Sequence, residues 1–111
     1  MQISRLEQLQ QFLVNEPNDS FLKYAIATEY LKLNDTDQAL SYFTDLVSTD
    51  ENYVGTYYHL GKLYEKLNRK TDAEATYKKG LIIARKAGNM HAASELQQAL
   101  NSALGLDYED D

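Results

Sequence analysis

Residues 54–87 read VGTYYHLGKLYEKLNRKTDAEATYKKGLIIARKA, and their spacing decides the fold. Tyr57, Leu60, Gly61 and Tyr64 recur at i, i+3, i+4 and i+7, the period of one helix face. Ala73, Tyr77 and Gly80 repeat that spacing on a second segment. The polar break Asn68-Arg69-Lys70 separates the two. It leads into Thr71-Asp72-Ala73-Glu74, which reads as a capping box in which hydroxyl and carboxylate satisfy free N–H groups at a helix start. The stretch is therefore expected to be two helices folded back on each other.

The same plan occurs once more upstream. Displaced by 34 residues, 20–53 lies on 54–87 without a gap, and six pairs are identical: Tyr24/Tyr58, Tyr30/Tyr64, Lys32/Lys66, Leu33/Leu67, Asn34/Asn68 and Ala39/Ala73. About two would be expected at average residue frequencies. The conservative pairs Ile26/Leu60, Ala27/Gly61, Phe43/Tyr77 and Val47/Leu81 fall at inward positions.

A large residue, then Leu-Gly, then Tyr, then Ala and an aromatic resembles the tetratricopeptide repeat (TPR), a 34-residue helix–turn–helix unit of solenoids. The resemblance implies an all-α fold, an α-α superhelix of about six helices. It assigns repeat packing to Ala27, Tyr30, Ala39, Phe43, Leu60, Gly61, Tyr64, Ala73, Tyr77 and Gly80. Small Ala27 and Gly61 let a partner helix approach, although Gly costs a helix about 1 kcal/mol in propensity.

Outward from the repeats, residues 4–15 read as a capping helix. Ser4 and Glu7 form a capping box, and Leu6, Leu9, Phe12 and Leu13 make an apolar face. Pro17 ends it by disfavouring helix at Glu16. In repeat one (20–53), Asp19 or Ser20 is the N-cap of a helix to Leu33, with Leu22, Ile26, Ala27, Tyr30 and Leu33 inward. Asn34-Asp35-Thr36 is the turn, and Asp35 with Gln38 forms a further capping box. Ala39, Tyr42, Phe43, Leu46 and Val47 form the buried face of a second helix, to about Ser48. Repeat two (54–87) ends on a long helix reaching Lys86. Arg85 and Lys86 suit the negative end of its dipole, and Gly88 suits the left-handed position beyond.

Residues 89–104 form a C-terminal capping helix with Asn89 as N-cap and Gly105 as terminator. Ala92, Leu96, Ala99, Leu100 and Ala103 face the stack, and Ser94, Glu95, Gln97, Gln98 and Asn101 face solvent, as an exposed solenoid end requires. The division expected is one TPR domain, 1–105, and an acidic flexible tail, 106–111 (LDYEDD), with too few apolar groups to order itself.

Composition narrows the function. With 43% hydrophobic residues, one Pro and five Gly, the chain can form long helices around a core. It has no Cys, which excludes disulfides, thiolate metal sites and a Cys nucleophile. No apolar run is long enough to span a bilayer, and MQISRLEQLQQF lacks the pattern of a signal peptide, so a cytoplasmic protein is expected. The sequons at Asn18 and Asn34 are then better read as helix-start chemistry. Net charge is −6, unfavourable for nucleic acid, where affinity rests on neutralising phosphates. Charge is uneven: residues 1–51 hold three Lys and Arg against nine Asp and Glu, 52–106 hold eight against four, and 107–111 hold four acids and no base. That asymmetry suggests steering of a partner, or of the chain's own tail.

No catalytic constellation is present. His59 and His91 lack a Cys, or a His at i+3 or i+4, to share a metal. No Ser sits in a Gly-x-Ser-x-Gly setting, and Gly55 and Gly61-Lys62 do not make a P-loop. Neither an enzyme nor a cofactor is expected.

What the resemblance implies instead is protein–protein interaction, by a small adaptor or scaffold that binds a peptide in the concave groove lined by the first helix of each pair. The matching positions are Phe21, Tyr24, Ala25, Thr28 and Lys32 in repeat one. In repeat two they are Tyr58, His59, Lys62, Glu65 and Lys66, and the capping helix adds Asn89, Ala93 and Leu96. Tyrosines offer contact area with a hydrogen-bonding tip. Lys62 and Lys66, one turn apart, attract carboxylates, so an acidic protein or peptide partner is expected, and neither nucleic acid nor membrane. The TPR subclass that clamps chaperone C-termini carries Lys and Asn on the first groove helix, where this chain has Tyr24 and Thr28, Asn on the second, where it has His59, and Lys and Arg on the third, where it has Asn89 and Ala93. None matches, so that activity is not carried over. The alternatives are a weak homo-oligomer assembled through the charge asymmetry, and a groove occupied by the chain's own acidic tail.

Overall fold

The computed structural model describes residues 3–105. Among them are six helices and no strand: α1 (Arg5–Asn15), α2 (Ser20–Lys32), α3 (Thr36–Thr49), α4 (Gly55–Lys66), α5 (Lys70–Lys86) and α6 (Met90–Ala103). The chain divides into two compact units after Tyr53. The acidic segment 106–111 lies outside the described residues.

Local chemistry sets the helix ends. Ser4 accepts from the Glu7 N–H while the Glu7 carboxylate accepts from the Ser4 N–H, closing the capping box of α1. Asp19 caps α2 through the Leu22 N–H at 2.9 Å, and Asp35 caps α3 through the Gln38 N–H at 3.2 Å. The repeated Lys-Leu-Asn ends α2 and α4 in the same way. Lys32 and Lys66 lie in the last turns, Leu33 and Leu67 are C-caps, and Asn34 and Asn68 take φ of 59° and 60°. Asn tolerates this left-handed geometry better than most residues. It lets the next N–H reach back, Asp35 to the Tyr30 carbonyl at 3.0 Å and Arg69 to that of Tyr64 at 2.8 Å.

Three expectations are corrected here. The Thr71 capping box does not form: α5 begins at Lys70 and its N-cap, Arg69, makes no side-chain cap. Thr71 sits inside the first turn, and Asp72 instead pairs with Arg69 at 2.8 Å. Leu33, expected inward, is 60% exposed, because α2 has ended and the chain is already turning. Phe12 is 59% exposed; at 100° per residue it falls to one side of the stripe that Leu6, Leu9 and Leu13 present to α2.

In the first unit, α1 packs on α2 and α2 on α3. Leu9, Ala25 and Ile26 are buried together, flanked by Leu6, Leu13, Leu22, Tyr30 and Tyr42. Ala27, Ala39, Phe43 and Leu46 are fully enclosed. Lys23 is buried along its stem, and its ammonium bridges from α2 to Asp45 at 3.1 Å and Thr49 at 3.3 Å on α3. Phe43 alone stabilises by about 1.5–3 kcal/mol through the apolar area it withdraws from water.

In the second unit, α5 packs on both α4 and α6, and α4 also touches α6. Tyr57, Leu60, Leu63, Tyr77, Leu81, Ala84 and Leu96 form its core. Two glycines set the helix spacing. A Cβ on Gly61 would collide with the Tyr77 ring at Cε1, and one on Gly80 would lie 2.5 Å from Tyr57 Cβ and 3.1 Å from Leu96 Cδ1. Gly80 is thus where α4, α5 and α6 meet. The Tyr77 hydroxyl emerges beside α4 and donates a hydrogen bond to Glu65. Burial, then this bond, pushes the phenol pKa above the ordinary tyrosine range.

Candidate functional site

The groove positions are distributed over both units. On α2, Tyr24, Thr28 and Lys32 follow at i, i+4 and i+8, so they share one face. Tyr24 is half-buried, with its ring edge-on to Phe43 at 6.4 Å and tilted to Tyr53 at 5.5 Å. It packs as well as presents a surface. The Thr28 hydroxyl donates to the Ala25 carbonyl at 2.9 Å, and Lys32 is exposed, 3.6 Å from Glu29. Phe21, at the start of the same helix, is 56% exposed. Ala25 is only 5% exposed. It belongs to the core, because it sits one residue before Ile26 on the side facing α1.

On α4, Tyr58, His59, Lys62 and Lys66 turn the other way from the buried Tyr57, Leu60 and Leu63. The Lys62 ammonium lies 5.6 Å from the centre of the Tyr58 ring and 3.9 Å from the Glu65 carboxylate. Both contacts are long, so Lys62 is held loosely. The Glu65 carboxylate is also engaged by Tyr77. His59 sits edge-on to Tyr58 at 5.7 Å. Burial lowers its pKa, against an opposing pull from the Glu95 charge.

The α6 contribution differs from the one expected. Ala93 and Leu96, assigned to the groove, are 5% and 1% exposed and pack into the core. Asn89 is spent as an N-cap, accepting from the Ala92 N–H at 3.0 Å. The residues that do line a surface with α4 are Glu95, Gln98, Ala99 and Ser102. With Tyr58 and Lys62 they enclose an open pocket of about 180 Å³. Ser102 and Ala103 line a second depression beside Glu65 and Lys70. The reason is register. α6 turns 93, 96 and 100 into the core, so 95, 98 and 102, one step around the helix, look toward α4.

The pocket offers a flat aromatic ring, a small apolar floor at Ala99, hydrogen-bonding groups from Gln98 and Ser102, and a charge of each sign at Lys62 and Glu95. It can grip a side chain and orient a polar backbone, and it holds no nucleophile–base pair. Among the described residues, no group of three His, Asp or Glu is placed to hold a metal ion. None of the described helices is long and apolar enough to cross a membrane.

A family model described as tetratricopeptide repeat matches residues 30–100, well over half of the chain. No curated protein matches. Among solved structures, a tetratricopeptide repeat domain protein of Salinibacter ruber is 52% identical in its crystal structure, covering 80% of this chain and all of that one, at a TM-score of 0.77. Its solution structure matches at 49% identity over 86% of this chain and 96% of that one, also with a TM-score of 0.77. The TPR2B domain of yeast Sti1, solved in complex with pHsp70, has a TM-score of 0.83 over 90% of this chain and 80% of that one. It is 17% identical, a likeness of fold alone.

Proposed function

Because this chain belongs to the tetratricopeptide repeat family, whose domains serve in general as noncatalytic protein-interaction modules, we propose that it is an adaptor that binds a peptide segment of a partner protein. The α4–α6 surface is the seat of binding. The observation that carries the reading is the pocket that Tyr58 and Lys62 of α4 share with Gln98, Ala99 and Ser102 of α6. Concave pockets with a few convergent polar groups are where proteins take ligands. Its walls lie on packed helices, so a peptide would bind with little ordering cost on the protein side.

The partner segment carries acidic residues beside an apolar or aromatic anchor. Lys62 is loosely paired, Lys66 lies one turn further along the same face, and the Tyr58 ring offers area for the anchor. Tyr24, Thr28 and Lys32 are assigned the same role on α2. Binding to chaperone tails is not proposed, because none of Tyr24, Thr28, His59, Asn89 and Ala93 is the residue that the carboxylate clamp carries at that position, and Ala93 is buried. A cytoplasmic, noncatalytic protein with no cofactor is the setting we propose for it.

The test is calorimetric titration of an identified partner against the wild type and the Lys62→Glu, Lys66→Glu double variant. Reversing two surface charges should weaken binding by roughly tenfold or more and leave the thermal melt nearly unchanged. Unchanged affinity would remove the α4 face from the site.

A further inference from the structure

The α6 helix delivers the chain to the edge of the pocket. Ser102 lines both the pocket beside Lys62 and the depression beside Lys70. Gly105 follows at φ 75°, its N–H bonded to the Ser102 carbonyl at 3.1 Å. Such a left-handed terminator bends the chain off the helix axis. The residues that follow are Leu106-Asp107-Tyr108-Glu109-Asp110-Asp111. They have the chemistry proposed above for a partner: an aromatic and an aliphatic anchor among four carboxylates.

We propose that residues 106–111 are a built-in competitor for the α4–α6 pocket, the aromatic group of Tyr108 complementing Tyr58 in chemistry and the four carboxylates complementing Lys62, Lys66 and Lys70 in charge. The proposal rests on the reading of that surface as a peptide site. Reach permits it: Ser102 is one helical turn before Gly105, and the three residues to Tyr108 span up to about 10 Å when extended. Charge permits it as well. Glu65 and Glu95 oppose the three lysines, but the Glu65 carboxylate is already engaged by Tyr77 and Lys62. A tether this short gives an effective concentration of order millimolar. Even a millimolar affinity would then keep the site about half occupied and weaken an outside acidic peptide about twofold. A partner must displace the tail, so weak acidic segments are rejected while a better-matched one binds.

The experiment compares two full-length chains by amide NMR, the wild type and a variant carrying Asp107→Asn, Glu109→Gln, Asp110→Asn and Asp111→Asn. The probe is the free peptide Leu-Asp-Tyr-Glu-Asp-Asp. The expected result is a shift difference between the chains at Tyr58, Lys62 and Gln98 that collapses in high salt, with the probe bound at least about twofold tighter by the neutralised chain. Identical spectra at those amides overturn the proposal. If the probe then still moves them equally in both chains, the peptide site stands and only the competing tail falls. If the probe moves none of them in either chain, the acidic-ligand reading of the surface falls with it. A difference that grows with protein concentration assigns the tail to a neighbouring molecule and likewise overturns the intramolecular proposal.

Discussion

Replacing Gly80 by Ala sets two elementary effects against each other, and the structure decides which wins. Gly80 lies inside α5, where Ala is favoured by about 1 kcal/mol in helix propensity. Propensity alone therefore predicts a more stable protein. The added Cβ, however, would stand 2.5 Å from Tyr57 Cβ and 2.9 Å from Tyr57 Cγ. Comfortable carbon contacts begin near 3.5 Å, so α4 and α5 must separate by about 1 Å. These atoms are next to the α4 backbone, and Tyr57 is 1% exposed, so no rotamer change relieves the clash. Overpacking of this kind costs about 1–3 kcal/mol, occasionally more. Here the upper part of that range applies, because Leu96 closes the third side at 3.1 Å. Subtracting the propensity gain leaves a net loss of roughly 1–2 kcal/mol, a fall in Tm of about 5–10 °C for a domain of this size. Thermal melts followed by far-UV circular dichroism measure it, with Ala75→Gly on the exposed side of α5 as the control for propensity. Both substitutions should destabilise although their propensity terms have opposite signs. A Gly80→Ala protein as stable as the wild type, or more so, would refute the close approach of the three helices.

Tyr77→Phe keeps the ring beneath Gly61 and deletes the hydrogen bond to Glu65; chemical denaturation should show a loss of about 1 kcal/mol, because water can re-solvate the partly exposed carboxylate. Asp35→Ala removes a working N-cap and should cost about 1 kcal/mol, whereas Thr71→Ala should be close to neutral by the same denaturation assay, since α5 starts ahead of it. The His59 pKa is lowered on folding, so the unfolded chain binds the proton more readily, and stability should fall as pH drops through and below about 6.5. His59→Gln should flatten that part of the wild-type Tm-versus-pH curve, and an unaltered curve would show that the imidazole is not differentially buried.

What could be read in the chain, and what could not, follows from the range of the interactions involved. The helical hairpins were legible because their determinants are local and occur twice. Lys-Leu-Asn ends a helix by the same left-handed turn at Asn34 and Asn68, and the Ala39/Ala73 and Phe43/Tyr77 pairs sit at one helical period. The start of α5 was misread although the repeat itself carries the answer. The 34-residue shift lays the N-cap Asp35 on Arg69, and Asp37 on Thr71, so Thr71 occupies a first-turn position. Leu33 and Phe12 illustrate a second limit. Apolar character marks a residue as able to be buried, but a turn or a slight angular offset leaves it in solvent. The α6 face was the least legible. Extending the repeat register pointed to Ala93 and Leu96, yet as the last described helix α6 packs on α4 and α5 with 93, 96 and 100. That rotation brings Glu95, Gln98 and Ser102 beside Lys62. The available signal was Glu95, Gln98 and Ser102 themselves, a polar stripe at i, i+3 and i+7, which solvation of an exposed end explained equally well.

The most direct test of the central claim is selection from a displayed random-peptide library against the full-length protein with the neutralised 106–111 segment, followed by binding of the selected peptides to that chain with and without Lys62→Glu and Lys66→Glu. Enrichment of acidic peptides carrying an aromatic or aliphatic anchor, with binding lost on charge reversal, is the predicted result. Failure to enrich any peptide, or peptides that bind the reversed chain equally well, would contradict the assignment of the α4–α6 surface as the binding site.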